Sequence, residues 1–127
     1  MGYDVEFIQV PMPKGMAFPV KPETAKTLLA GALALEDRTA VRELMLKLSG
    51  MREGEKQSID FLGKGMSYAK FRIGAKSIHV ENNCSVKELL AIYAHVRERF
   101  PSLAIHDLQS GQLHDADSFL AWWAKPL

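Results

Sequence analysis

Apolar and polar residues alternate at the start of the chain, and this alternation predicts a β-strand over residues 3–10. Val5 and Phe7 point to one side of this segment, while Ile8 and Val10 point to the other. Such imperfect alternation is typical of a strand that is partly covered on both faces.

The middle of the chain predicts antiparallel strands. Apolar and polar residues alternate over 58–61, 68–73 and 78–81, and glycine-containing turns separate these segments. Because the polar positions fall on one side of each segment, they predict a meander with one polar face. Residues 103–105 predict a further short strand.

Apolar residues at helical spacing predict the helices. Between residues 22 and 49 the apolar stripe is interrupted at 36–37, so one bent helix or two short helices fit this segment. Pro22 suits the first turn of a helix, and Asp37 can cap a second one.

The later helices have clear N-terminal signals. Ser85-Val86-Lys87-Glu88 has the spacing of a capping box, in which the Ser85 hydroxyl accepts the N–H of Glu88 and the Glu88 carboxylate accepts the N–H of Ser85. Asp115 can cap a final helix. The resulting order, β-α(α)-β-β-β-α-β-α, predicts the α+β class, with an antiparallel or mixed sheet of four to five strands and three to four helices packed mainly on one face.

Length and composition narrow the class of protein. The chain has 127 residues, 47% of them hydrophobic and 24% charged, which indicates one globular domain over residues 1–127 and not a disordered chain. A net charge of +1 gives no global field, so we expect neither DNA nor a membrane as partner. No apolar run approaches the ~20 residues of a membrane span, and the first residues lack the pattern of a secretory signal. The single cysteine, Cys84, excludes an intramolecular disulfide and fits a reducing compartment, so we expect a cytoplasmic protein.

One segment suggests single-stranded RNA binding. Residues 64–71, Lys64-Gly65-Met66-Ser67-Tyr68-Ala69-Lys70-Phe71, resemble the signature octapeptide of the RNA-recognition-motif family, although Met66 and Ser67 depart from its pattern. The resemblance implies an open sheet face on which Tyr68 stacks against a base. The first predicted strand lacks the family's second aromatic motif, and the strand over 78–81 is extra to the family's order.

Histidine and aspartate residues suggest a second alternative, a metal-assisted hydrolase. Two His-Asp pairs, at 106–107 and 114–115, flank a turn, and His79 lies on a predicted neighbouring strand. Imidazole and carboxylate groups are ligands for zinc and non-haem iron. This alternative would use His79, His106, Asp107 and His114. The residues also have a structural interpretation, because Asp115 can cap a helix and Asp107 can open a turn.

The interpretation that explains most residues is a small non-catalytic protein-interaction or regulatory domain. The chain has no phosphate-binding glycine loop, nucleophile elbow or Cys-x-x-Cys motif, so we predict no cofactor and no resident metal. Adjacent helical residues differ by about 100° in direction, so one of Trp122 and Trp123 can be exposed as a binding hot spot. The expected partner is another protein or a second copy of the chain, with RNA as the alternative. The predicted contact residues are Tyr68, Lys70, Arg72, His79, Trp122 and Trp123.

Overall fold

The computed structural model describes residues 3–35 and 37–124. Within them the chain forms seven β-strands, four α-helices and one 3-10 turn, Glu55–Gln57. In chain order the main elements are β1 (Tyr3–Gln9), α1 (Pro22–Leu29), α2 (Arg38–Leu46), β2 (Met51–Glu53), β3 (Ile59–Leu62), β4 (Tyr68–Ile73), β5 (Ser77–Asn83), α3 (Val86–Arg99), β6 (Leu103–Asp107), β7 (Leu113–His114) and α4 (Ala116–Trp123).

The described strands form one antiparallel sheet in the order β2-β3-β4-β5-β1-β6-β7. The α+β class predicted from the sequence is confirmed, but the predicted number of four to five strands is too small. The two additional strands are β2, with three residues, and β7, with two residues. Segments this short are too brief to show an alternating pattern, so only pairing with a neighbour reveals them.

The largest core lies on the face of the sheet that carries Val5 and Phe7, which we call the inner face. Helices α2, α3 and α4 contribute buried residues to this core, among them Met45, Tyr93 and Phe119. The predicted break in the helical segment over 22–49 is resolved as two separate helices, α1 and α2.

The opposite, outer face has a smaller core of its own at one side of the sheet. Ile8, Ala104 and Leu113 pack there against Val20 and against Ala25 of α1. Three of the four described helices thus pack on the inner face, in line with the prediction that helices pack mainly on one face, and α1 is the exception. The physical reason is that β1 and β6 carry apolar residues on both faces, and the outer ones need a cover.

The local helix signals predicted from the sequence are confirmed. The Asp37 side chain accepts the N–H groups of Thr39 and Ala40 at the start of α2. Ser85 and Glu88 form the predicted capping box of α3. Asp115 and Ser118 form a second capping box at α4. Across the described part of the chain, no helix combines the length and the apolar character needed to cross a membrane.

Candidate functional site

The part of the outer face that α1 leaves open carries a set of charged side chains, which we call the charged face. They come from β1, β3, β4, β5 and β6, where polar residues alternate with core residues. Neighbouring strands place opposite charges beside each other, at 3.6 Å for Lys70 and Asp60 and 3.2 Å for Arg72 and Glu81. The members of the charged face are Asp4, Glu6, Asp60, Lys70, Arg72, His79, Glu81 and His106.

The best-formed pair of the charged face joins Glu6 and His106. Their side chains are 2.9 Å apart and only 21% and 16% exposed. The hydrogen bond from His106 lowers the pKa of the Glu6 carboxyl, against the opposing effect of burial. On the other side of β1, His79 lies 3.5 Å from Asp4. Each of the four acids of the charged face therefore lies beside a basic side chain or an imidazole.

Large apolar side chains are exposed in the β3–β4 hairpin beside this charged face. Leu62 and Tyr68 are direct cross-strand partners, 45% and 39% exposed. Met66, in the turn between the strands, is 96% exposed. We call Leu62, Met66 and Tyr68 the hairpin patch. From the sequence, Tyr68 is a predicted contact residue, whereas Leu62 and Met66 are not. The alternation places Met66 on the outward side with Tyr68, but no local pattern joins Leu62 to them, because only strand pairing brings it beside Tyr68.

The structure divides the six predicted contact residues into two groups. Tyr68, Lys70, Arg72 and His79 lie on the outer face, as the alternation predicted. Trp122 and Trp123 lie on α4, which packs on the inner face. A single flat partner surface therefore does not contact both groups.

The two tryptophans pack around Tyr3. The Trp122 ring nitrogen donates to the Tyr3 hydroxyl at 3.3 Å, and this indole is partly buried. Trp123 is 40% exposed, and its ring meets that of Tyr3 edge-on at 4.9 Å. Trp123 is thus the more accessible of the pair, while Trp122 anchors α4 to the sheet.

The residues of the metal alternative do not converge. His79 and His106 belong to the outer face, whereas Asp107 and His114 are fully buried on the inner side. Asp107 accepts hydrogen bonds from the hydroxyls of Tyr3 at 2.5 Å and Ser110 at 2.8 Å. Within residues 3–35 and 37–124, no group of three or more His, Cys, Asp or Glu side chains is placed to hold a metal ion.

Cys84 has the environment of a structural thiol. It is buried, and its Sγ–H donates to the Asn82 side-chain oxygen at 2.7 Å. Burial raises the pKa of the Cys84 thiol to about 12, with a further contribution from the charge of Glu88. The thiolate that a nucleophile needs is therefore disfavoured.

A further surface feature, unseen in the sequence, is a cavity of about 430 Å³ near the start of α2. We call it the cationic cavity, and its lining residues are Arg38, Thr39, Arg42, Lys56, Gln57, Arg72 and Ile73. Its basic residues come from three separate parts of the chain. From the sequence, Arg72 is a predicted contact residue, but Arg38, Arg42 and Lys56 are not, because they are scattered cations in a chain of nearly balanced charge.

Comparison with family models, curated proteins and solved structures finds no match to this chain.

Proposed function

We propose that this chain is a protein-interaction domain without catalytic machinery of its own. In this proposal it binds a partner protein through the hairpin patch, with the adjoining charged face as the polar rim. Exposed apolar residues surrounded by charged ones have the arrangement of a protein–protein interface, in which Tyr and Met are enriched at the centre.

The observation that carries the proposal is the exposure of the hairpin patch. The Met66 side chain is almost fully exposed, so folding removes almost none of its apolar surface from water. Leu62 and Tyr68 beside it are also well exposed. Removing such side chains from water is favourable, at roughly 25 cal/mol per Å² of apolar surface, so a partner that covers them gains binding free energy.

The charges favour a protein partner over RNA. Lys70 and Arg72 each lie close to a carboxylate, so the charged face presents both signs to a partner. Among the described outer-face residues of β3, β4 and β5, Tyr68 is the sole Phe, Tyr or Trp, whereas RNA stacking uses two or three rings. The partner we expect therefore offers an apolar centre with mixed charges around it.

Site-specific photo-crosslinking tests the proposal. A benzophenone amino acid at Met66 should trap a discrete protein in cells that express the chain. The matched control carries the same group at Glu98, an exposed position of α3 on the helical side of the sheet. Combining Leu62→Ser and Tyr68→Ala with the Met66 crosslinker should abolish the adduct, because the apolar contact is lost.

Two outcomes would contradict the proposal. Equal adducts from the Met66 and Glu98 positions would show that the hairpin patch has no special affinity. Nuclease-sensitive adducts at Met66 would support the RNA alternative instead.

We also propose a cytoplasmic location for the protein. The buried free thiol of Cys84 supports it, because free thiols are typical of a reducing compartment.

A further inference from the structure

All charged residues among the described lining of the cationic cavity are basic. Arg38 and Arg42 line it from α2, Lys56 from the β2–β3 connection and Arg72 from β4. No Asp or Glu side chain is among the described residues that line it. At about 430 Å³ the cavity falls within the size range of small-molecule sites, roughly 300–1,000 Å³.

An unusual turn builds one wall of this cavity. Lys56 and Gln57 have φ angles of 53° and 64°, in the left-handed region that side chains other than glycine rarely adopt. The Ser58 N–H closes the turn on the Glu55 carbonyl at 3.0 Å. Consecutive left-handed residues in such turns are usually Asn or Gly, so their replacement here by Lys and Gln points to a role for these side chains or for the backbone that they hold.

The turn also positions Arg42. The Arg42 guanidinium donates to the Gln57 carbonyl and forms an ion pair with Glu53 at 3.2 Å. The Arg42 side chain is only 23% exposed, so it has a defined place in the cavity wall. The left-handed backbone at Gln57 thus sets the direction of one of the four cations.

The charges of the cavity are available to an anion. Arg38 and Lys56 are exposed, and neither pairs with a carboxylate among residues 3–35 and 37–124. The partners of Arg42 and Arg72, Glu53 and Glu81, are 68% and 40% exposed, and such exposed ion pairs contribute little stability. An incoming anion can therefore replace them at small cost.

The helix terminus itself is not the binding element. Asp37 already accepts the N–H groups of Thr39 and Ala40, so the side chains, not the first amides of α2, face a ligand. Guanidinium groups bind phosphate oxygens through paired N–H donors. No aromatic ring lines the described cavity, so nothing there would stack on a nucleobase.

We propose that the cationic cavity binds a small molecule through two or more phosphate groups. Four cationic residues in one lining match a multiply charged anion better than a single carboxylate, and no aromatic ring lines the described cavity, so recognition falls on the phosphates. This cavity contains no residue of the hairpin patch, although Arg72 belongs both to it and to the charged face. Its test does not depend on the proposed protein interaction.

Calorimetric titration with pyrophosphate at about 0.15 M ionic strength tests the site under physiological screening. Adenosine diphosphate serves as a second probe. Equal affinity for the two would show that the phosphates alone are recognised, and tighter binding of the nucleotide would show that the organic part contributes. Amide chemical shifts of Thr39 and Ile73 should move with either probe, because both residues line the cavity.

Two variants should weaken pyrophosphate binding by about tenfold or more each, since each removes one charge-assisted contact. Arg38→Gln removes a cation at the start of α2. Lys56→Gly removes another, and because glycine accepts the left-handed backbone, this variant should fold with an equal or higher Tm. A lower affinity in a protein of undiminished Tm separates binding from folding.

Lys64→Gln is the matched control. It removes the same charge from an exposed position of the β3–β4 hairpin, outside the cavity, and should change the affinity by less than about twofold. Equal losses in Lys64→Gln and Arg38→Gln would show unspecific attraction and overturn the proposal. Absence of binding by the unmodified protein to both probes at millimolar concentration would overturn it as well.

Discussion

His114 is a buried polar residue whose environment disfavours a positive charge. Its side chain is fully buried, Nδ1 lies 2.9 Å from the Ser118 hydroxyl, and Nε2 has no hydrogen-bond partner within the described residues. The rings of Phe119 and Trp122 pack against the imidazole. Desolvation by this burial lowers the pKa of His114, although the charges of Asp107 and Asp115 act in the opposite direction.

We expect His114 to make the protein less stable in mild acid. In the unfolded chain His114 binds a proton near its ordinary pKa of 6.5, whereas in the folded protein it does so only at lower pH. The unfolded state therefore holds more protons as the pH falls below about 6.5, and the free energy of unfolding decreases. Urea unfolding between about pH 7.5 and pH 5 should show this loss, and His114→Gln should remove that part of it.

Comparing the unmodified protein with His114→Gln separates the pH dependence that His114 contributes from that of the other histidines. Both proteins contain His79, His95 and His106, so the pH dependence that these residues contribute cancels in the difference. Parallel stability curves for the unmodified protein and His114→Gln would contradict the prediction.

At the scale of elements, the N-terminus of α3 also holds the β3–β4 hairpin. Glu88 accepts the N–H of Ser85 at 3.0 Å and the N–H of Lys64, in the hairpin turn, at 3.3 Å. A Cβ atom at Gly63 would lie 2.0 Å from the Glu88 carboxylate, so glycine permits this close approach. The hydrogen bond from the Ser85 backbone is the main reason why the pKa of Glu88 is lowered.

Loss of this carboxylate should therefore affect two elements at once. Glu88→Ala should destabilise the protein by about 1 kcal/mol and speed amide exchange at Lys64, which loses its acceptor. The control is Asp37→Ala, which removes the cap of α2 without touching the hairpin. That variant should cost a similar free energy but leave exchange at Lys64 unchanged. Equal exchange rates at Lys64 in both variants would show that the hairpin does not depend on the α3 cap.

At the scale of the whole molecule, the outer face of the sheet has two parts. One part is buried in the smaller core, and the other is exposed to solvent. Near β6 and β7, Leu113 is fully buried in the core to which α1 contributes, whereas Leu62 on β3 is 45% exposed. In the covered half, Val20 forms a backbone bridge with Leu113, in which the Val20 N–H donates to the Leu113 carbonyl at 2.8 Å. The position of α1 therefore decides how much of this face is left for a partner.

A leucine-to-alanine substitution should destabilise the protein strongly in the covered half and only slightly in the open half. Leu113→Ala should lower the free energy of unfolding by about 2–5 kcal/mol, because it leaves a cavity beneath α1. Leu62→Ala should change it by no more than about 0.5 kcal/mol, because water already reaches that side chain. Denaturant unfolding of both variants measures this difference. A small effect of Leu113→Ala would mean that the outer core contributes little to the fold.

Local sequence determined the features whose hydrogen bonds span a few residues. The caps of Asp37, Ser85 and Asp115 follow from side chains that reach N–H groups two or three positions ahead, so their prediction needed no tertiary structure. Strand alternation likewise identified the outward direction of Tyr68 and Arg72. Both kinds of signal are complete within one element, which is why a single sequence reveals them.

Tertiary structure decided what depends on segments far apart in the chain. The sequence did not show that β1 pairs with both β5 and β6, or that α1 crosses to the outer face, because these choices depend on how the whole apolar surface is covered. Pairing with β6 and packing of α4 bury His114 on the inner side of the sheet. The cationic cavity brings Arg38, Lys56 and Arg72 together only through the placement of α2 and the β2–β3 turn. The sequence therefore determined the elements and the class, while long-range packing determined which side chains share a surface, because that depends on strand pairing and not on spacing along the chain.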